Sequence, residues 1–216
     1  MGRRTVRAGR PRSAACGAGG ADARAGIREA DALLLTHAHA DHVGGLDDLR
    51  IFSERSGQDF PVYGPAAALA RVRERFGYVF RRTQAGGGKP RLSLRPVSQP
   101  FYMGRLRVVP LPVWHGRLRV FGYRLGRFAY ITDVSKIPPA TYPKLRGLDV
   151  LVLDALRHEP HETHFHVARA LAEAARIGAQ RTYFTHICHR LPQRETQALL
   201  PKNVFLAYDG LVLNLP

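Results

Sequence analysis

"LLLTHAHADHVGG", residues 33–45, decides how the rest of this chain is read. Three histidines and one aspartate fall within six positions, directly after a run of leucines. A short apolar run of this length predicts a buried strand, "ADALLLTH", rather than a helix. Such a strand delivers its last residue, His37, to one edge of a sheet. The cluster has the form H-x-H-x-D-H. In it His37 and His39 lie two apart and can grip one ion from one side. Asp41 and His42 are adjacent and are expected to point elsewhere, in the tight turn before a helix, where they would hold a second ion. Imidazole and carboxylate suit Zn²⁺, Mn²⁺ or Fe²⁺ rather than the all-oxygen cages of Ca²⁺.

Working outward, three more predicted strands run into a ligand-type residue: "LPVW" into His115, "FAYIT" into Asp133 and "TYFT" into His186. Several strands can converge their ends on one point, with each ligand held on rigid structure. Asp133 is the candidate to bridge the two ions. Asp154 and Asp209 also close predicted strands, either as ordinary strand-end aspartates or as acceptors for the second ring N–H of ligand histidines. His189, three residues past His186, is a supporting or substrate-contacting group. A second histidine group, His158, His161, His164 and His166 in "RHEPHETHFHVA", reads as a His-rich loop or a helix N-terminus. Cys188 reads as structural. Gly86 to Gly88 lack a following lysine-serine pair, which excludes a nucleotide loop.

Between these points the chain alternates strands and helices, an α/β class. Helices are predicted from "HVGGLDDLRIF", "AAALARVRERFGYVF" and "HVARALAEAARIG", the last ending at Gly178. Further strands are "FPVYGP", "RLSLRPV", "LRVVPLPVWH", "LRVFGYRLG", "RFAYITD", "LDVLVLDA", "RTYFTH" and "VFLAYDG", rich in β-branched and aromatic residues. "RRTQAGGGKPR" is a loop. No internal repeat and no linker divides the chain.

The totals bound what this protein does. With 216 residues and 45% hydrophobic composition it is one domain with a full core. No apolar run approaches the roughly 18 residues of a membrane span, so no membrane partner is expected. Two cysteines, Cys16 and Cys188, make no disulfide framework, and a reducing cytoplasm is the default. A net charge of +16 admits nucleic acid as a partner. Arginine is mixed with alanine and glycine throughout, however, with no aromatic–basic stripe to stack bases. Residues 1–23 carry no strand or helix period and no secretory h-region, and are expected to be disordered ahead of a domain at residues 24–216.

"THAHADHVGG", followed by "VWH", "YITD" and "YFTH", resembles the metallo-β-lactamase superfamily. The longer texts "LLTHAHADHVGGLDDLR" and "VWHGRLRVFGYRLGRFAYITDVSKIP" look like its phosphoribosyl 1,2-cyclic phosphate phosphodiesterase branch. The similarity runs from Arg24 to the C-terminus. It implies an αββα sandwich and two divalent ions, zinc, manganese or iron. One would lie on His37, His39 and His115 and the second on Asp41, His42 and His186, with Asp133 bridging. "THFHVARALA" matches the family's loop before its long helix, which implies a general acid at His164. The implied reaction is hydrolysis of a small cyclic phosphodiester by a metal-bound hydroxide, with His164 and Asp41 as catalytic residues.

Family members open with strands that residues 1–23 do not match. Part of the first sheet is therefore expected to be missing or replaced, leaving a sticky edge and self-association, homodimers included. Three alternatives stand beside this reading. A tRNA 3′-processing endonuclease would explain the charge, but the interval from Asp133 to His186 has no room for a basic arm. A thioester or lactone hydrolase of the glyoxalase II kind would add a C-terminal helical domain, whereas the tail after His186 reads as strand. A truncated, inactive remnant is the third, and the complete ligand set argues against long-standing decay.

Overall fold

The computed structural model describes residues 30–82 and 88–214. The segment 1–23, and with it the expectations of disorder and of missing strands, lies outside the described residues. The chain divides into two compact units, Met1–Pro96 and Val97–Pro216. Each has its own sheet, so the class is mixed α/β with two sheets, as expected. Among the described residues no helix is long and apolar enough to cross a membrane.

The N-terminal unit holds three parallel strands in the order β1-β2-β3: β1 (Leu33–Leu34), β2 (Phe60–Gly64) and β3 (Leu92–Pro96). Parallel neighbours require crossovers. The first is α1 (Ala40–Val43), a 3₁₀ turn (Leu46–Leu49) and α2 (Arg50–Ser56). The second is α3 (Ala66–Arg75) and α4 (Gly77–Phe80), with a break at Phe76 where one continuous helix was predicted. The β1 ladder is much shorter than "ADALLLTH" suggests. Leu35 N–H still donates to the Tyr63 carbonyl at 2.7 Å, and the chain then turns away. Gly64 allows this close approach, because a Cβ there would stand 3.1 Å from the Leu35 carbonyl oxygen. The core is Val43, Leu46, Phe52, Phe60, Val62 and Val72 with their neighbours.

The C-terminal unit holds seven strands in the order β10-β9-β8-β7-β6-β5-β4. β4 (Phe101–Met103), β5 (Leu106–His115), β6 (Leu118–Leu125) and β7 (Phe128–Ile131) form an antiparallel meander. Each connection is a two-residue turn that begins with glycine, Gly104, Gly116 or Gly126, all at φ 58. A glycine at φ > 0 in the first central position is the chemistry of a type II′ hairpin turn. β8 (Val150–Asp154), β9 (Arg181–Thr185) and β10 (Val204–Leu206) then add in parallel. A 3₁₀ segment (Pro139–Leu145), α5 (Val167–Ile177) and α6 (Gln193–Leu199) make the crossovers. The tail after His186 is thus not all strand, because a parallel partner for β9 requires the α6 crossover. All five residues of β8 are buried, as for a parallel strand covered on both faces. Leu111, Val113, Ile131, Leu151, Leu153, Phe165 and Phe184 are central to the core.

From the pairing directions, β5, β7, β8 and β9 all run the same way. Their C-terminal ends therefore share one edge of the sheet.

Candidate metal centre

Each unit gathers ligand-type side chains of its own. In the N-terminal unit they lie on the turn from β1 into α1. His37 is buried, three residues past the strand rather than at its end. The Thr36 hydroxyl lies 3.0 Å from His37 Nδ1, which leaves Nε2 as the ligand atom. His37 Nε2 is 2.9 Å from His39 Nδ1. Two nitrogens held ~2.0–2.1 Å from one tetrahedral ion would be about 3.3 Å apart, so this pair fits a shared cation closely. His39 is also the residue that opens α1, its carbonyl accepting from His42 and Val43 N–H at 3.0 and 3.2 Å. Asp41 is exposed and His42 buried, with Asp41 Oδ2 3.3 Å from His42 Nε2. Sequence spacing had His42 pointing away from the first pair. The His42 ring centroid lies 4.2 Å from that of His37, yet Asp41 and His42 stay outside the group of ligand atoms that contains His37 and His39.

The C-terminal unit gathers its set at the shared strand edge. His115 is the last residue of β5, and its Nδ1–H donates to the Thr163 carbonyl at 2.8 Å, which assigns the lone pair to Nε2. Asp133 lies two residues past β7 and His186 one past β9. These two are the only non-glycine residues at positive φ among those described, at 52° and 60°. Left-handed backbone on a non-glycine residue costs roughly 1–2 kcal/mol and collects at functional sites. Here it turns the Asp133 carboxylate and the His186 ring toward each other, Oδ1 to Nε2 at 3.3 Å. The other Asp133 oxygen accepts from the Thr132 hydroxyl at 2.7 Å. Asp133, His164 and His186 bring three ligand-type atoms within 4.8 Å of one another.

Asp154, the last residue of β8, organises this edge. It is fully buried, and its Oδ2 accepts from Val134 N–H at 2.9 Å and from His164 Nδ1 at 3.0 Å. Its Oδ1 lies 3.9 Å from His186 Nδ1. Burial pushes the Asp154 carboxyl up to about 8, against the pull of His186 and the Val134 N–H. The sequence reading left Asp154 undecided between an ordinary aspartate and a partner for ligand histidines; its nearest imidazole is His164. The His164 ring stacks on His186 at 4.8 Å and meets His115 edge-on at 4.5 Å. His161 follows at 5.1 Å from His164, and burial with the neighbouring His164 charge lowers its pKa.

One candidate, Asp209, stands differently from expectation. Asp209 is exposed in a turn three residues beyond β10 rather than closing the strand. His189 is exposed in the turn after β9. The residues that sequence reasoning missed are Thr36, Thr132 and Thr163. A signal for the first two was present: a threonine precedes the ligand in "LTH" and "ITD". The Thr163 contact is made by its backbone and leaves no mark in the residue type.

The donor set, mainly imidazole nitrogen with carboxylate oxygen, fits divalent transition-metal ions. Residues 11–187 match the beta-lactamase superfamily domain, and the chain belongs to that family. It is a metallo-β-lactamase-fold protein of a metal-dependent hydrolase superfamily. The crystal structure of a new diphosphatase from the PhnP family superposes with a TM-score of 0.84 at 39% identity, over 92% of this chain and 76% of that one. An octanoyltransferase of Porphyromonas gingivalis is 37% identical over 87% of this chain. A hydroxyacylglutathione hydrolase of Cupriavidus metallidurans is 30% identical over 82%. The chain spans 38% and 57% of these two relatives' own lengths.

Proposed function

We propose that this protein is a phosphodiesterase that hydrolyses a small cyclic phosphate ester with two divalent ions, zinc or manganese. In this reading His37, His39 and His115 hold one ion, Asp41, His42 and His186 hold the other, and Asp133 serves both. The assignment follows the family's ligand pattern. Bound ions would neutralise phosphate charge and lower the pKa of water.

The observation that carries the reading is the Asp154–His164 pair. Asp154 Oδ2 accepts from His164 Nδ1–H, so Nε2 is the atom of His164 that exchanges a proton with the substrate. An alkoxide leaving group, whose conjugate acid is about as weak as water, needs that proton. A thiolate, with a pKa of about 8.5, leaves far more readily without one. A built proton donor therefore supports an oxygen leaving group over the thioester chemistry of hydroxyacylglutathione hydrolases. Similarity to a diphosphatase supports attack at phosphorus.

The test is an assay of protein loaded with Mn²⁺ or Zn²⁺ against a five-membered cyclic phosphate, bis(p-nitrophenyl) phosphate and a glutathione thioester. The cyclic phosphate should show the highest kcat/KM, and elemental analysis should find about two ions per chain, as in two-metal sites. Faster turnover of the thioester than of both phosphates would overturn the substrate class. At most one ion in folded, saturated protein would overturn the ligand assignment.

A further inference from the structure

The loop between β8 and α5 carries four histidines, and the structure gives three of them separate surroundings. His158 Nε2 lies 2.9 Å from the Thr196 hydroxyl. His166 is the residue before α5, its carbonyl accepting from Ala170 N–H. His164 rests on Asp154. His161 is left, half-buried and outside every group of ligand-type atoms found among the described residues.

The state of the His161 ring follows from one contact. Thr163 N–H donates to His161 Nδ1 at 3.3 Å, and the Thr163 hydroxyl lies at the same distance. A backbone N–H only donates, so Nδ1 holds a lone pair and the neutral ring carries its proton on Nε2. Among the described residues no protein group accepts that Nε2 proton. The same Thr163 fixes His115 through its carbonyl, so one residue sets the tautomer of two imidazoles.

We infer that His161 is a substrate-positioning residue whose Nε2–H binds an oxygen of the leaving group beside the one that His164 protonates. This rests on the phosphodiesterase reading above. The His161 ring stands 5.1 Å from the His164 ring, which in turn meets the His115 ring at 4.5 Å. A donor at that offset addresses the next oxygen of the leaving group. The chemistry recognised is an oxygen acceptor adjacent to the scissile bond, from either a neighbouring hydroxyl or a second phosphoryl group. A nitrophenolate leaving group has no such oxygen.

Three measurements test this. Long-range ¹⁵N–¹H spectra of metal-free protein at pH 7 should show His161 as the Nε2–H tautomer. An Nδ1–H tautomer or an imidazolium would overturn the assignment whether or not the protein is a phosphodiesterase. By calorimetry, Mn²⁺-loaded His161→Ala should bind pyrophosphate about five- to tenfold more weakly than wild type, the loss of one hydrogen bond. Equal affinity would overturn the phosphoryl arm. In turnover, His161→Ala should raise KM more than it lowers kcat for a diester with a hydroxyl beside the leaving oxygen, and His161→Gln should recover part of the loss. An equal loss on that diester and on bis(p-nitrophenyl) phosphate would overturn the role. Absence of all phosphoester turnover alongside the expected tautomer and pyrophosphate affinities would fail the functional reading and leave His161 as a phosphoryl ligand.

Discussion

The two units supply ligand-type residues in opposite ways. In the N-terminal unit His37, His39, Asp41 and His42 come from six consecutive residues, and one short helix sets their spacing. None of the four adopts a positive φ. In the C-terminal unit His115, Asp133 and His186 come from different strand ends and His164 from the loop after β8; two of them are held left-handed, and a buried carboxylate, Asp154, closes the neighbouring strand. The first set is written locally and should tolerate damage locally. The second depends on the whole sheet, so a change at one strand should reach the others through Asp154.

The largest expected effect is on chemistry in the C-terminal set. His164→Ala should lower turnover of alkyl phosphodiesters roughly 10²- to 10⁴-fold, the range of general acid catalysis. The loss should shrink for nitrophenolate leaving groups; an equal loss would reduce His164 to a binding role.

Next comes the contrast itself. Asp154→Ala leaves the buried Val134 N–H without its acceptor and releases His164. It should destabilise the metal-free protein by about 1–3 kcal/mol in urea titrations. His39→Ala, at an exposed position, should cost about 0.5 kcal/mol or less. Equal costs would erase the distinction between a local and a sheet-wide set.

Gly116→Ala probes the same unit one layer out. At φ 58 the new Cβ would meet the Thr163 methyl at 2.8 Å, and Thr163 holds His115. We expect a loss of about 1–2 kcal/mol from backbone strain, together with weaker metal binding. Unchanged metal affinity would separate the hairpin turn from the ligand.

Asp154 also sets a pH dependence. Its folded pKa of about 8 lies above the unfolded ~3.9. Between those values the folded metal-free chain keeps a proton that the unfolded chain has lost, so stability should fall as pH rises from about 4 to about 8. The slope is at most about 1.4 kcal/mol per pH unit. Asp154→Asn should flatten it, and an unchanged slope would assign the effect to other groups. The smallest effect belongs to the N-terminal surface: Arg71→Ala breaks an exposed pair with Glu74 and should cost at most about 0.5 kcal/mol.

What the sequence revealed divides along the same line. The strand ends at His115, Asp133 and His186 were legible because a strand delivers its last residue to an edge, whatever its neighbours. The meander was legible from its hydrophobic runs, and its three Gly-Arg turns agree. The pairing of Asp154 with His164 was not, because a crossover selects a partner ten positions away that no periodicity marks. His42 against His37 depends on one turn of helix too short to read. Asp209 was misplaced because β10 stops at Leu206 although "VFLAYDG" continues its strand-like composition.

The long β5–β6 hairpin has a consequence for how the molecule assembles in time. It pairs over eight register positions around a two-residue turn, so its contacts close cheaply and early. β8 and β9 pair only after chain excursions of tens of residues, and these slow contacts position Asp154 and His186. The strand end bearing His115 should therefore gain exchange protection first in pulse-labelled refolding. Metal affinity should emerge only in the last kinetic phase, which makes ion capture a reporter of completed folding.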